Sequence, residues 1–329
     1  MNVLSLFDGM SCGQLAFNKL GIDFNERERE IRYFASEIKQ FAINHTQKKF
    51  PNTTQVGDVC KLHYENDSLY SNCEKIYDED GNFLYWKLGN KIPNSKIDIL
   101  IGGSPCQNFS RANAVDNRGL EGDKSRLFYE YLRLKKEINP KYFLLENVRM
   151  SKENEQKLND FMEIKGVHIN SKLLTYQKRE RIYWTNINNG NIPQLIDKEI
   201  FFRDYIDTDP IRCEEARVNK TPSRLRMWND GLGRTSASSC ENITNADKIG
   251  CLTRKQDRCP NSGLIAYKDF CRFLTRRELE MAQSIPIGFL DDLSFNQVQD
   301  VTGDGWTVDV ISHILSNLPK EFLSNKFNN

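Results

Sequence analysis

Cys106 stands where a nucleophile is useful. It follows the apolar run Ile99-Leu100-Ile101, two glycines (Gly102, Gly103), Ser104 and Pro105. An apolar run that stops in Gly-Gly reads as a buried strand. Open α/β sheets bind ligands just outside the carboxyl ends of such strands. Pro105 fixes φ beside the thiol and restricts it. A buried structural cysteine fits the same residues, because free cysteines are among the most buried side chains. The neighbouring polar groups favour chemistry. Lys141 to Val148 is a second apolar strand, ending in Glu146-Asn147. On an adjacent strand Glu146 lies beside Cys106, and burial there is expected to raise its pKa towards neutrality, as a general acid requires. In Gln177-Lys178-Arg179-Glu180-Arg181 the two arginines share one face of an extended chain. Two guanidiniums on one face can hold a carbonyl, a carboxylate or a phosphate.

A second group of residues suits an adenosine. Val3 to Phe7 is a short apolar strand, Asp8 to Gly13 a glycine-bearing turn, and Gln14 to Leu20 a helix. Only Gly9 and Gly13 are present, so the spacing is not that of a nicotinamide dinucleotide site. The helix amino terminus suits a smaller group, such as a carboxylate. Glu37 ends the strand Tyr33 to Ser36, where an acid can grip a ribose diol. Asp58 ends the next strand, Thr54 to Val59, and can accept from an adenine amino group. Either acid alone also reads as a helix cap. Two acids at successive strand ends describe an adenosine-shaped pocket.

The elements that must position these groups alternate strand and helix. The chain has 329 residues, enough for one large α/β domain and a smaller one. Residues 66–96 read as an insertion whose aromatic run alternates around Asp80-Gly81, a hairpin signal. Its aromatics are expected to pin the hairpin to the main sheet. The stretch 107–124 reads as a lid following the nucleophile, and Ser125 to Asn139 as an amphipathic helix. A helix over Glu153–Lys165 and a strand over His168–Tyr176 follow. From 188 to 270 apolar periodicity fades. Nine basic residues stand against four acidic ones between Ala216 and Pro260, a balance that suits phosphate contacts and groove reading. Thr275 and Glu278 form a capping box, and core-like patterning returns to the end of the chain. Residues 1–187 and 271–329 thus read as one domain, with 188–270 inserted.

Bulk properties exclude several classes. Net charge is +1, so nucleic-acid binding must use a local basic face. No apolar run approaches the roughly 20 residues of a membrane span. The start of the chain does not read as a signal peptide. Nine cysteines without a C-x-x-C pair match no zinc pattern and suggest reduced cytoplasmic thiols. A thiol hydrolase needs a histidine at a strand end, and His45, His63, His168 and His313 lie elsewhere.

Taken together, the blocks resemble the cytosine-5 DNA methyltransferases, and within them the catalytic domain of the animal de novo enzymes. Val3 to Gly9, Ser36-Glu37 and Gly57-Asp58-Val59 match the cofactor blocks. Gly102-Gly103-Ser104-Pro105-Cys106 matches the nucleophile block, Glu146-Asn147-Val148 the acid block, and Gln177-x-Arg179-x-Arg181 the paired arginines. Arg272-Phe273-Leu274-Thr275-x-x-Glu278 with Gln283, and Gly305-Trp306-Thr307-Val308, match the last two blocks, all in family order. Two departures stand out. Ser104 replaces a second proline found in many bacterial members, and Asp304-Gly305-Trp306 replaces the usual last-block residues.

The resemblance implies an α/β fold. Its core is a Rossmann-like sheet of the S-adenosylmethionine-dependent methyltransferase type, with a small inserted target-recognition region. It implies that S-adenosylmethionine lies near Phe7, Asp8, Gly9, Met10 and Cys12. Glu37 and Ile38, Asp58 and Val59, then Pro105, Leu127 and Trp306 complete that site; no metal is implied. Cys106, Glu146, Arg179 and Arg181 are the implied catalytic residues. They act on a cytosine flipped out of double-stranded DNA. A restriction endonuclease is a further implied partner, and the implied location is cytoplasmic. A cytosine-5 transfer-RNA methyltransferase and a catalytically silent DNA-binding relative are the alternatives; the first differs in substrate, the second in chemistry.

Overall fold

Five of the seven strands in the main sheet are hydrogen-bonded in parallel, and their sequences show why. Val3, Leu4, Leu6, Phe34, Ala35, Ile99, Leu100 and Ile101 are all fully buried, whichever face they point to. Strands covered on both faces carry continuous apolar runs rather than alternation. The structure is a computed structural model that describes every residue except 27–30, 105–125, 226–227, 229–240, 255–260 and 324–329. The strands are β1 (Asn2–Leu6), β2 (Arg32–Ser36), β3 (Thr54–Gln55), β4 (Ile99–Gly103), β5 (Tyr142–Val148), β6 (Val167–Asn170) and β7 (Glu180–Thr185). Their order is β6-β7-β5-β4-β1-β2-β3. β1, β2, β3, β4 and β5 pair in parallel, and β7 runs antiparallel to β5. The order reverses between β1 and β4, the position where open α/β sheets bind their ligands.

The helices α1 (Cys12–Asn18), α2 (Gln40–Lys49), α3 (Arg126–Ile138) and α4 (Lys152–Met162) connect these strands. On α3, Phe128, Tyr131 and Leu134 are fully buried, and Leu127 and Leu132 pack on the same cluster. The close fit of α3 to β4 depends on Gly102. A Cβ there would stand 3.1 Å from the Tyr131 ring and 3.3 Å from Leu6. β6 is shorter than the expected His168–Tyr176 strand. The Asn170 side chain accepts from Lys172 N at 3.1 Å and caps a 3-10 turn that ends the extended run.

The chain divides into two compact units: Met1–Ile169, Arg181–Ile192 and Ile314–Asn329 in one, Asn170–Glu180 and Pro193–His313 in the other. This grouping differs from the division expected at residues 188 and 271, since residues 271–313 group with the loop-rich stretch. A buried ionic network gives the reason. Both Glu278 carboxylate oxygens accept from Arg272, at 2.7 and 3.0 Å, and both residues are wholly buried. Glu278 also accepts from Asp207 N at 2.8 Å and closes the expected capping box with Thr275 at the start of α6 (Arg276–Ala282), once α5 (Pro210–Glu215) is counted. Residues 207, 272, 275 and 278 are thus one structural knot. Glu278→Gln leaves the Arg272 charge buried without its anion. It is expected to destabilise the protein by about 3–5 kcal/mol, read as a lower denaturant midpoint; an unmoved midpoint would show that the knot is dispensable.

The hairpin forms as expected, from strands Glu74–Tyr77 and Phe83–Lys87, with the Asp78 carboxylate accepting from Asp80 N and Asn82 N across the turn. Its aromatics do not pin it to the sheet. Tyr77, Phe83, Leu84 and Tyr85 are half exposed or more. Trp86 alone turns inward, stacked on His63 at 5.2 Å, with the Arg133 guanidinium of α3 4.8 Å from its ring centre. The hairpin is therefore pinned to α3, because a two-stranded ribbon has no second face to bury and must borrow a neighbour.

Candidate active site

The turn after β1 is shaped by three residues with left-handed backbone: Phe7 (φ 60), Gly9 (φ 59) and Ser11 (φ 59). It is braced from beneath. Tyr33 on β2 donates its hydroxyl to Asp8 Oδ1 at 2.8 Å, and Ser11 donates to Oδ2. Burial pushes the Asp8 carboxyl above its ordinary pKa, against these hydrogen bonds. Asp8 therefore holds the turn from inside. A Cβ on Gly13 would collide with the same Tyr33 hydroxyl, so the glycine lets α1 start close to β2.

Above the turn lies Glu37, at the carboxyl end of β2. Its Oε2 accepts from Gly9 N at 2.9 Å, and its Oε1 accepts from Ile38 N and Lys39 N, both at 2.8 Å. The carboxylate is thus oriented by three backbone donors before any ligand arrives. Asp58 lies past the end of β3, which is shorter than expected. Its Oδ1 accepts from Cys60 N at 2.9 Å and caps the short turn Val59–Lys61. Phe7 and Leu127 are partly buried against the cluster that contains Val59. Met10 and Cys12 are buried, whereas Ile38 is largely exposed. These groups fit an adenosine: the Glu37 and Asp58 carboxylates can accept from a diol and an amine, and Phe7, Val59 and Leu127 supply an apolar edge. Open space surrounds the position of a Cβ on Gly9, so a ligand can approach this backbone.

The acid lies two strands away. Glu146 on β5 stands opposite Gly103 of β4 in register, three residues before Cys106. On the other side, Arg181 of β7 is opposite Val148, and its Nε lies 2.9 Å from Glu146 Oε1. Both side chains are nearly buried, 13% and 10% exposed, so the ion pair is shielded from water. Next to it, Asn147 donates to Ser104 Oγ at 3.0 Å. Cys106, Pro105 and the stretch 107–124 lie outside the described residues.

This sheet order, with a strand-end acid paired to an arginine, agrees with a sequence comparison. A family model described as C-5 cytosine-specific DNA methylase matches residues 1–320. The chain belongs to the C-5 cytosine-specific DNA methylase family. The type II methyltransferase M.FnuDI of Fusobacterium nucleatum is 36% identical over 129 residues, which cover 34% of this chain and 36% of that protein. The orphan methyltransferase M.Rho11sI of Bacillus phage rho11s is 30% identical over 245 residues, 70% of this chain and 39% of that protein. The chain spans less than half the length of these two relatives. The solved structure of the Entamoeba histolytica methyltransferase EhMeth superposes with a TM-score of 0.66 over 98% of both chains at 16% identity, a likeness of fold.

Within this methylase chain the two motif arginines are placed differently. β7 begins at Glu180, so the shared strand face covers Arg181 and not Arg179. Arg179 belongs to the other compact unit. Its buried guanidinium donates to the carbonyls of Leu252 at 3.0 Å, Gly303 at 3.1 Å and Gly305 at 2.8 Å. It braces the backbone just before Trp306, which lies in that same unit and is partly buried. Sequence reasoning assigned no role to Tyr33 and none to the Asn147–Ser104 pair. The sequence signal for that pair was the asparagine that directly follows the acid.

Among the described residues no group of His, Cys, Asp or Glu is placed to hold a metal ion, and no helix is long and apolar enough to cross a membrane.

Proposed function

We propose that this protein is a DNA cytosine-5 methyltransferase that uses S-adenosylmethionine. The observation that carries the reading is the Glu146–Arg181 pair, shielded at the carboxyl edge of the sheet and in register with the strand that leads to Cys106. S-adenosylmethionine, when bound, supplies the methyl group. Glu37 would hold its ribose, Asp58 its adenine amino group, and Phe7 with Leu127 the face of its ring. The Cys106 thiolate adds to ring carbon 6 of cytosine, which makes carbon 5 nucleophilic. Glu146, once its carboxylate has taken up a proton, hydrogen-bonds ring nitrogen 3 and hands it that proton as electron density moves there. Arg181 holds the Glu146 carboxylate in place and excludes its other rotamers. Arg179 acts at one remove, by bracing the turn before Trp306. Residues 188–270, rich in basic and hydroxyl side chains, would contact the duplex, and the target base would be flipped to reach Cys106.

Double-stranded DNA is the proposed partner, a restriction endonuclease a further one, and the cytoplasm the proposed location. The test is methyl incorporation from labelled S-adenosylmethionine into duplex DNA and, in parallel, into transfer RNA, with bisulfite sequencing of the DNA. Label in DNA at cytosines of one short context is expected. Label in RNA alone would overturn the substrate and keep the chemistry. Absence of label in both, with cofactor bound, would point to a silent DNA-binding relative.

The cofactor side has its own prediction. Glu37→Ala removes a carboxylate already oriented by three N–H donors, and it leaves the Gly9 N–H without its acceptor. Affinity for S-adenosylhomocysteine is expected to fall about 10- to 100-fold, the worth of a charge-assisted hydrogen bond to a diol. Isothermal titration measures this directly. An unchanged titration would remove Glu37 from the ribose site.

A further inference from the structure

The backbone pairing of β4 with β5 runs from Tyr142↔Ile99 to Glu146↔Gly103. One residue further along each strand stand Asn147 and Ser104. Both are buried, at 1% and 4% exposure. Neither residue belongs to the described β4–β5 backbone ladder, whose last pair is Glu146↔Gly103. A side-chain bond takes over where the backbone rungs end. Asn147 Nδ2 donates to Ser104 Oγ at 3.0 Å. The carboxamide cannot turn away, because its Oδ1 accepts from Val148 N at 2.8 Å. With the oxygen so held, the NH2 group faces Ser104.

Ser104 is two residues before Cys106, and Asn147 is the residue after Glu146. The bond therefore ties the last described residue before the nucleophile stretch to the strand that carries the acid. We propose that Ser104 and Asn147 are a positioning pair, which sets the spacing of the nucleophile strand and the acid strand at their carboxyl ends. The proposal rests on the reading of Cys106 and Glu146 given above. The side chains in question differ from the acid and its arginine, and neither touches the base in this account. Their effect is on geometry: a displacement of about 1 Å between reacting groups can cost 10²-fold in rate. It also gives a physical use to the departure from a second proline at position 104. Proline has no hydroxyl, and alanine would leave a buried Asn147 N–H without an acceptor.

The experiment uses the whole protein and three readouts. The first is the single-turnover rate of adduct formation with a duplex that carries 5-fluorocytosine, in the presence of S-adenosylmethionine. In this trap the thiolate adds to carbon 6, the methyl group joins carbon 5, and fluorine in place of the carbon-5 proton blocks the elimination that would free the enzyme. The second is affinity for S-adenosylhomocysteine, and the third is the thermal unfolding midpoint. Ser104→Ala is expected to slow adduct formation about tenfold or more, with cofactor affinity within about twofold of wild type. Ser104→Thr keeps the hydroxyl and is expected to restore the rate to within about threefold. A Ser104→Ala protein that forms the adduct at the wild-type rate would overturn the pair. So would a parallel loss of rate, cofactor affinity and unfolding midpoint in both variants, which is what a packing role alone predicts. A wild-type protein that forms no adduct would overturn the assignment of Cys106, and this proposal with it. An adduct in wild type with no effect of Ser104→Ala would overturn the pair alone.

Discussion

Cys106→Ala is expected to lose methyl transfer by about 10⁴-fold or more while it binds S-adenosylhomocysteine like the wild type. Carbon 5 of cytosine is too poor a nucleophile to attack a methyl sulfonium unaided, so the proposed reaction depends on prior addition at carbon 6. No other described thiol in the sheet unit is suited to substitute. Cys12 is buried at the start of α1. Burial pushes the thiols of Cys60 and Cys73 above their ordinary pKa, which disfavours the reactive thiolate. The cofactor contacts proposed on the sheet (Glu37, Asp58, Phe7) do not involve the sulfur, so affinity has no reason to change. Labelled methyl transfer and a cofactor titration on one preparation separate the two. Transfer at the wild-type rate would mean that Cys106 is not the nucleophile.

Glu146→Gln is the second large effect. The glutamine fills the same volume but cannot hand a proton to ring nitrogen 3, and a positioned acid contributes about 10²–10⁴-fold to rate. The expected outcome is a fall in kcat of about 10²–10³-fold, with KM for DNA changed far less. The substitution also removes the anion facing Arg181 Nε, which lies 2.9 Å away in a nearly buried pair. Some loss of stability is therefore expected as well. Cofactor affinity again distinguishes the two effects, because Glu37 lies across β4 and β1 from this pair. A kcat within a few-fold of wild type would make the Glu146–Arg181 pair a structural brace.

Much of this site was legible along the chain because strand ends are local features. An apolar run that stops in Gly102-Gly103, or in Glu146-Asn147, places its next residues at the carboxyl edge of a sheet whatever its neighbours are. The Asp80-Gly81 hairpin and the Thr275–Glu278 capping box were readable for the same reason, since each is closed within a few residues. The order of the blocks pointed to the family without reference to distance.

Other features depend on encounters between distant segments. Arg179 and Arg181 look equivalent two residues apart. Yet one pairs with Glu146 on the adjacent strand, and the other reaches carbonyls 73 to 126 residues away. The extended run ends at a 3-10 turn before Arg179 and resumes only at Glu180, so the period-2 rule that would align the arginines does not apply across the break. Residues 271–313 have core-like patterning, but patterning does not say which core they join. The buried knot of Asp207, Arg272 and Glu278 decides that. Ser104 and Asn147 meet across 43 residues only because β4 and β5 pair in this register. Local pattern and motif order thus identified the elements and the family, and singled out the side chains proposed to react. Strand register and burial decided which side chain holds which, because a polar group that loses water must take the partner that the packed backbone brings within about 3 Å.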